Sequence, residues 1–195
     1  MSAQPEPVVE HQYNIKCSDE GYVYFYQNVP FSNFWAWDTK LEFDGHKFNS
    51  SEAVFMYQKA ILFGDSEIAI KIVETDNDSS FESLFKRCTA VKRLGRQVRG
   101  FLQETWDAEC YGMMYKAIEC KAEYDMEFRR LLLSPAFAGM TFAEATHRDK
   151  VWATGLGINQ SMELGRAGWK GQNLLGKALT ELRNKLRPDL AVKVQ

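Results

Sequence analysis

From Ser50 to Gly64 the chain reads Ser-Ser-Glu-Ala-Val-Phe-Met-Tyr-Gln-Lys-Ala-Ile-Leu-Phe-Gly, and this segment constrains the fold more than any other. A serine at its start can accept a hydrogen bond from the first free amides of a helix, and the glycine at its end permits the left-handed turn that stops one. Between them, apolar side chains fall on nearly every side of the helical wheel. A helix of that kind is not a surface helix with one wet face; it is the buried centre of a domain. The rest of the chain must supply the shell around it, and 195 residues are enough for one such core.

The shell is legible in outline. Tyr22 to Tyr26 (Tyr-Val-Tyr-Phe-Tyr) is aromatic and β-branched, as strands are. Leu41 to Phe48 alternates apolar and polar residues around Asp44-Gly45, the strongest short-range signal for a two-residue hairpin. A second helix is expected over Ser66–Glu74, followed by a polar loop from Thr75 to Ser80. Leu102, Trp106, Cys110, Met113 and Ala117 recur at helical spacing, predicting a long helix through about Lys121 that continues or restarts over Glu123–Leu133 before Pro135. Over Gln172–Leu186 a stripe of Leu174, Leu175, Ala178, Leu179, Leu182 and Leu186 leaves Lys177, Glu181, Arg183 and Lys185 on the other side. The fold class is therefore α+β, a mostly helical single domain with a small N-terminal antiparallel sheet. It is expected over residues 21–188, between a polar leader (1–20) and a short tail (189–195).

Composition removes several classes of function. No apolar run approaches the length of a membrane span, and the polar, acidic start from Met1 to His11 is unlike a signal peptide, so a cytoplasmic protein is expected. Cys17, Cys88, Cys110 and Cys120 form no CxxC pair and have no histidine at zinc spacing, so free thiols, no metal and no cofactor are expected. A net charge of -2 and a pI near 6.0 offer no global attraction to nucleic acid. Locally the balance differs. Lys86, Arg87, Lys92, Arg93, Arg96 and Arg99 follow one another without a carboxylate, as either a solvated helix face or an anion site.

Four features could carry chemistry. Glu52 opens the apolar helix and shares a face with Phe55, Met56 and Lys59; it is either a first-turn acid favoured by the helix dipole or a buried carboxylate with work to do. Glu144-Ala145-Thr146-His147-Arg148-Asp149-Lys150-Val151-Trp152 brings together two carboxylates, a histidine and a tryptophan. That is a surface turn, or the paired carboxylates that cleave a glycosidic bond through an oxocarbenium-like state. Trp152 to Gly176 is glycine-rich and runs through Trp169-Lys170-Gly171-Gln172-Asn173 into the last helix, as a plain connection or a loop whose amides hold phosphate. Phe31-Ser32-Asn33-Phe34-Trp35-Ala36-Trp37 packs a core or sandwiches a base.

Taken in order, these segments resemble the NADAR family, named for a proposed link to NAD and ADP-ribose. The resemblance is carried by Phe31-Ser32-Asn33-Phe34, the Asp44-Gly45 hairpin, Ser51-Glu52 leading to Tyr57-Gln58-Lys59, and Gly95-Arg96 followed by Trp106. It continues through Glu144-Ala145 and Asp149-Lys150-Val151-Trp152 to Trp169-Lys170-Gly171-Gln172-Asn173-Leu174-Leu175-Gly176, so that it covers roughly Tyr22 to Arg187. Members of the family include N-glycosidases acting on early riboflavin-pathway intermediates and others that remove ADP-ribose from guanine. The resemblance implies that Glu52, Trp106 and Asp149 sit in the active site, with Asn33, Phe34, Arg93, Arg96, Glu144, Trp152, Trp169 and Asn173 as substrate contacts. Short bacterial members have glycine directly after the tryptophan, whereas this chain has Trp152-Ala153-Thr154-Gly155 and a longer loop. That departure favours the ADP-ribosyl branch.

On this reading Glu52 stabilises charge on the sugar or activates water, Asp149 binds ribose hydroxyls or shares the acid-base work, Trp106 stacks on the base, and Arg93 with Arg96 meets phosphate. The expected partner is a small nucleotide or an ADP-ribosylated nucleic acid. Two rivals stand beside it. A module that binds ADP-ribose without cleaving it would use the same pocket, and a nucleic-acid-binding protein built on the Lys86–Arg99 run would bind unmodified strands with steep salt dependence.

Overall fold

The computed structural model describes residues 13–191, and the side chains of residues 36–39, including Trp37 of the aromatic segment, lie outside that description. Most of the expected leader and the last four residues of the expected tail lie outside it as well. In chain order the elements are β1 (Ile15–Cys17), β2 (Tyr22–Phe25), β3 (Ala36–Phe43), β4 (His46–Ser50), α1 (Ser51–Leu62), α2 (Ser66–Asn77), α3 (Leu84–Gly95), α4 (Gln103–Tyr124), α5 (Met126–Leu132), β5 (Thr141–Glu144), α6 (Ile158–Leu164) and α7 (Leu174–Leu186). They pack as two compact units: one runs from Asn33 to Arg129, and the other joins the chain up to Ser32 with the chain from Arg130 onward.

The continuous unit is built on α1. Ser50 Oγ accepts the amide of Ala53, capping the helix as the serine predicts, and nine of its twelve residues are buried. At its other end Gly64 N donates to Ile61 O and Asp65 N to Ala60 O, the two bonds of a Schellman turn, with Gly64 at φ 70°. β3 and β4 form the expected hairpin, pairing Phe43 with His46. Asp44 and Gly45 both have positive φ, as a two-residue turn matched to strand twist requires. Tyr57 Oη donates to Asp44 Oδ2 at 2.8 Å, tying this turn to α1.

Two expectations for this unit need correction. α2 runs on to Asn77, so Thr75, Asp76 and Asn77 are helical rather than loop. The reason is tertiary: Asp76 is buried and accepts from the Asn49 amide and from Ser50 Oγ, which anchors the end of α2 beneath the start of α1. In α4 the buried stripe is Cys110, Met114, Ala117, Ile118 and Lys121, while Leu102 at the N-cap is 63% exposed. Lys121 is buried with its ammonium 4.9 Å from the Phe128 ring centre, and Asp125 interrupts the helix and caps the restart at α5 by accepting the Phe128 amide. Burial lowers the Lys121 pKa to about 7 and raises that of Asp125 to about 6.

In the discontinuous unit β1, β2 and β5 form a three-stranded sheet in the order β1-β2-β5. β1, in the segment expected to be leader, runs antiparallel to β2, and β5, of which only Glu144 stood out in the sequence, adds to β2 in parallel. Phe25, Phe31, Phe137 and Phe142 pack as one ring cluster with centroids 4.7 to 6.1 Å apart. α7 begins at Leu174 rather than Gln172 because Asn173 is left-handed, at φ 54°. Arg183 is another correction. It is wholly buried rather than on the polar side of α7, with Nη1 donating to the Phe137 and Met140 carbonyls and the guanidinium over the Phe142 ring. Two fixed carbonyls at Nη1, and Asn184 Oδ1 accepting from Nε and Nη2, let a charge that reads as surface sit in a core.

Candidate active site

The continuous unit places Glu52 in the first turn of α1, 3% exposed. Its position is fixed from three sides. The Glu52 amide donates to Asn33 O, Ser51 Oγ donates to Asn33 Oδ1 at 3.0 Å, and Asn33 Nδ2 reaches Met114 Sδ on α4. Asn33 is itself 7% exposed, so the side chain expected to touch substrate spends its polar atoms on orienting the start of α1. Across from it, Lys92 of α3 brings Nζ to 3.8 Å from Glu52 Oε1, close enough to compensate a buried carboxylate. α3 reaches this position because Gly95 has no Cβ; one built there would lie 2.1 Å from Met56 Sδ. The backbone of α3 therefore lies directly on the face of α1 that carries Glu52.

Aromatic rings flank this carboxylate. Phe55, one turn along α1, packs at 5.3 Å against Trp106 of α4, and Phe101 stands 6.4 Å from Trp106. Lys59, a further turn along, holds its ammonium 4.5 Å from the Phe101 ring and 4.9 Å from Trp106. Burial, and then the nearby Arg96 charge, lower the Lys59 pKa. On the other flank Lys92 lies 5.7 Å from the ring of Phe34, which packs against Phe85. Arg93 and Arg96 are exposed at the end of α3. The rest of the basic run is partly neutralised: Lys86 pairs with Glu82, and Arg99 with Asp65 and Glu67. Arg99 holds the Asp65 carboxyl well below the usual range.

The discontinuous unit carries the other candidates on the loop after β5. Asp149 Oδ1 accepts the amides of Val151 and Trp152, shaping the turn that presents both Asp149 and Trp152 half-exposed. Glu144 ends β5, its amide held by Asn173 Oδ1, while Asn173 Nδ2 donates to Phe142 O. Asn173 is thus a buried clip between α7 and β5. Trp169 donates Nε1 to Ser161 O and packs edge-on against Tyr22 and Tyr24, a core-facing role for another residue expected to line the substrate. The amides that lead into α7 are not free to cradle a phosphate. The amides of Lys170, Gly171, Gln172, Asn173, Leu174 and Leu175 donate to carbonyls between Lys150 and Thr154. Gly171 is there for closeness, since a Cβ would lie 2.2 Å from Ala153 O.

Lys92 and Phe101 are the residues that sequence reasoning did not single out. Lys92 was one cation in a run of six, and only the approach of α3 at Gly95 distinguishes it. Phe101 lies outside any periodic pattern, and its place is set by the ring cluster around Trp106. Among the described residues no cluster of three or more histidine, cysteine, aspartate or glutamate side chains could hold a metal ion. The four cysteines are free thiols, and no described helix is long and apolar enough to cross a membrane.

Comparison with known proteins identifies the family and the fold. Residues 23–187 match the NADAR domain. The chain is 33% identical over 134 residues to an N-glycosidase of Acanthamoeba polyphaga mimivirus, covering 69% of this chain and 72% of that protein. It is 30% identical over 161 residues to the protein irg-1 of Caenorhabditis elegans, covering 83% and 71% of the two. The NMR structure of the E. coli protein YbiA superposes with a TM-score of 0.65 at 27% identity, over 97% of this chain and 95% of that one. With a family match across most of its length and the same fold in a solved structure, the chain belongs to the NADAR family.

Proposed function

We propose that this protein is an N-glycosidase that hydrolyses the bond between a ribose-type sugar and a nitrogen base, and that its substrate is guanine carrying ADP-ribose. The observation that carries the reading is the buried Glu52 carboxylate with Lys92 at 3.8 Å, on the helix face that also bears Phe55 and the Trp106 ring. Breaking a C1′–N bond sends the electron pair to the base and leaves positive charge on the sugar ring. A carboxylate placed at that carbon stabilises the charge, then takes a proton from the attacking water as its oxygen bonds to C1′. The proton that water gave to Glu52 ends on the leaving nitrogen, so the products are free base and a sugar with a new hydroxyl, and Glu52 is a carboxylate again. Trp106 offers a face on which a planar base stacks, and the cations Lys59 and Arg96 beside it suit a phosphate-bearing substrate. Asp149 joins this scheme, at the ribose hydroxyls, on its place in the family motif.

The mimivirus relative, named an N-glycosidase, supports the bond type; the longer Trp152–Gly155 connection supports the ADP-ribosyl substrate. The test is to incubate wild type and Glu52→Gln with guanine-ADP-ribosylated DNA and, separately, with ribosylaminopyrimidine riboflavin precursors, following released base and sugar by mass spectrometry. ADP-ribose released by wild type and not by the variant is the expected result. Cleavage of the pyrimidines alone would move the substrate, and binding without product would replace the enzyme with a reader module.

A further inference from the structure

The discontinuous unit has a cavity that the Glu52 chemistry does not use. It opens at the end of the three-stranded sheet where Ile15 pairs with Phe25 and Phe25 with Glu144, that is, at the carboxyl ends of the parallel strands β2 and β5. Crevices at the carboxyl ends of parallel strands are where such sheets commonly take ligands, because the loops leaving each strand converge there. The cavity measures about 650 Å³, within the range of small-molecule sites and large enough for a nucleotide.

Its chemistry is one-sided. Lys16 from β1 and His147 with Arg148 from the loop after β5 meet at this cavity, and among the described residues none that lines it is a carboxylate, in a chain whose net charge is -2. Asn14, Asn159 and Gln160 add amide donors and acceptors. The wall is organised: Lys16 Nζ donates to Asn159 Oδ1 at 3.0 Å, and Asn14 Nδ2 donates to Tyr26 O at 3.1 Å. His147 rests against the backbone of Gly157, where a Cβ would come within 3.0 Å of Nε2, so the missing side chain makes room for the imidazole. Gly157 has φ -70°, a conformation open to any residue, so closeness and not strain explains the glycine.

We propose that this cavity binds the phosphate group of a nucleotide, with Lys16, His147 and Arg148 meeting the anion and the amide side chains meeting the sugar or base. The proposal does not depend on the glycosidase reading. The loop that walls it runs straight into Asp149, so a bound phosphate orders the segment that holds that carboxylate. The phosphate can belong to a free nucleotide or to a nucleic-acid strand, and the chemistry of recognition is the same.

The test is titration calorimetry of full-length wild type, Lys16→Ala/Arg148→Ala and Gly157→Ala, each with ADP and with a short single-stranded oligonucleotide. Lys16 and Arg148 are exposed, so their replacement leaves the fold intact, which circular dichroism checks. Removing two charged donors is expected to weaken binding by about tenfold or more. Gly157→Ala weakens it by displacing His147. Tighter binding of ADP assigns the phosphate to a free nucleotide, whereas tighter, strongly salt-dependent binding of the oligonucleotide assigns it to a strand. Binding unchanged in the double variant, or absent from wild type for both probes, would overturn the site.

Discussion

Lys92 Nζ stands 3.8 Å from Glu52 Oε1, an ion pair made between two helices with the acid buried and the base 35% exposed in its side chain. Removing one member of a buried pair leaves the other's charge less compensated. Lys92→Met is expected to lower stability by about 1 to 2 kcal/mol, discounted from the cost of breaking a fully buried pair because the lysine is partly solvated. In the Glu52→Gln background the same change should cost much less. Urea denaturation of the four proteins in this double-mutant cycle measures the coupling, and additive losses would show that the pair does not interact.

Trp106 meets Phe55 and the Lys59 ammonium but is only half buried, leaving ring surface for a planar ligand. Trp106→Ala should weaken substrate binding by about 1 to 3 kcal/mol, the range of a lost stacking contact. Because stacking acts on bound substrate and transition state alike, steady-state kinetics should show KM rising with kcat little changed. A fall confined to kcat would assign the ring to the chemical step.

Gly95 and Gly171 both mark close approaches, against different obstacles. A Cβ on Gly95 meets the flexible Met56 side chain, which can move, whereas on Gly171 it meets the carbonyl oxygen of Ala153 and the backbone of Gly155 and Lys150. Gly95→Ala should cost about 1 to 3 kcal/mol, as overpacking does, and Gly171→Ala should cost more. Thermal melts of the two variants give the order directly; equal losses would contradict it.

Lys121 and Asp125 tie stability to pH. Burial lowers the folded-state pKa of Lys121 to about 7 from 10.5, so over that interval the unfolded chain holds the extra proton and stability rises with pH. Asp125, raised from 3.8 to about 6, acts in the opposite sense: the folded state holds the extra proton there, and stability falls as pH rises through that window. Denaturation midpoints from pH 7 to 10 should climb more steeply in wild type than in Lys121→Met. Parallel curves would mean that the Lys121 ammonium is solvated.

Local signals in the sequence carried far. The serine and glycine around α1, the Asp44-Gly45 turn and the apolar stripe of α7 each rest on contacts within a few residues, and each stands in the structure as expected. The order of the family motifs identified the fold, and it placed Glu52 in a helix whose neighbours are apolar on all sides. Residues whose partners are distant in sequence could not be read in this way. Arg183 looks like a surface charge until the Phe137 and Met140 carbonyls surround it, and Asp76 looks like loop until Asn49 and Ser50 claim it. Asn33, Trp169 and Asn173 resembled ligand contacts, yet their hydrogen bonds go to the protein itself.

What the sequence determined by itself was therefore the set of elements and the helix that had to be central, because capping, turn geometry and hydrophobic period are short-range properties of the backbone. Only the tertiary structure decided which charges are buried. The cost of desolvating a charge is offset by partners brought from elsewhere in the chain, and the approach of α3 to α1 at Gly95 is what makes Lys92 the partner of Glu52.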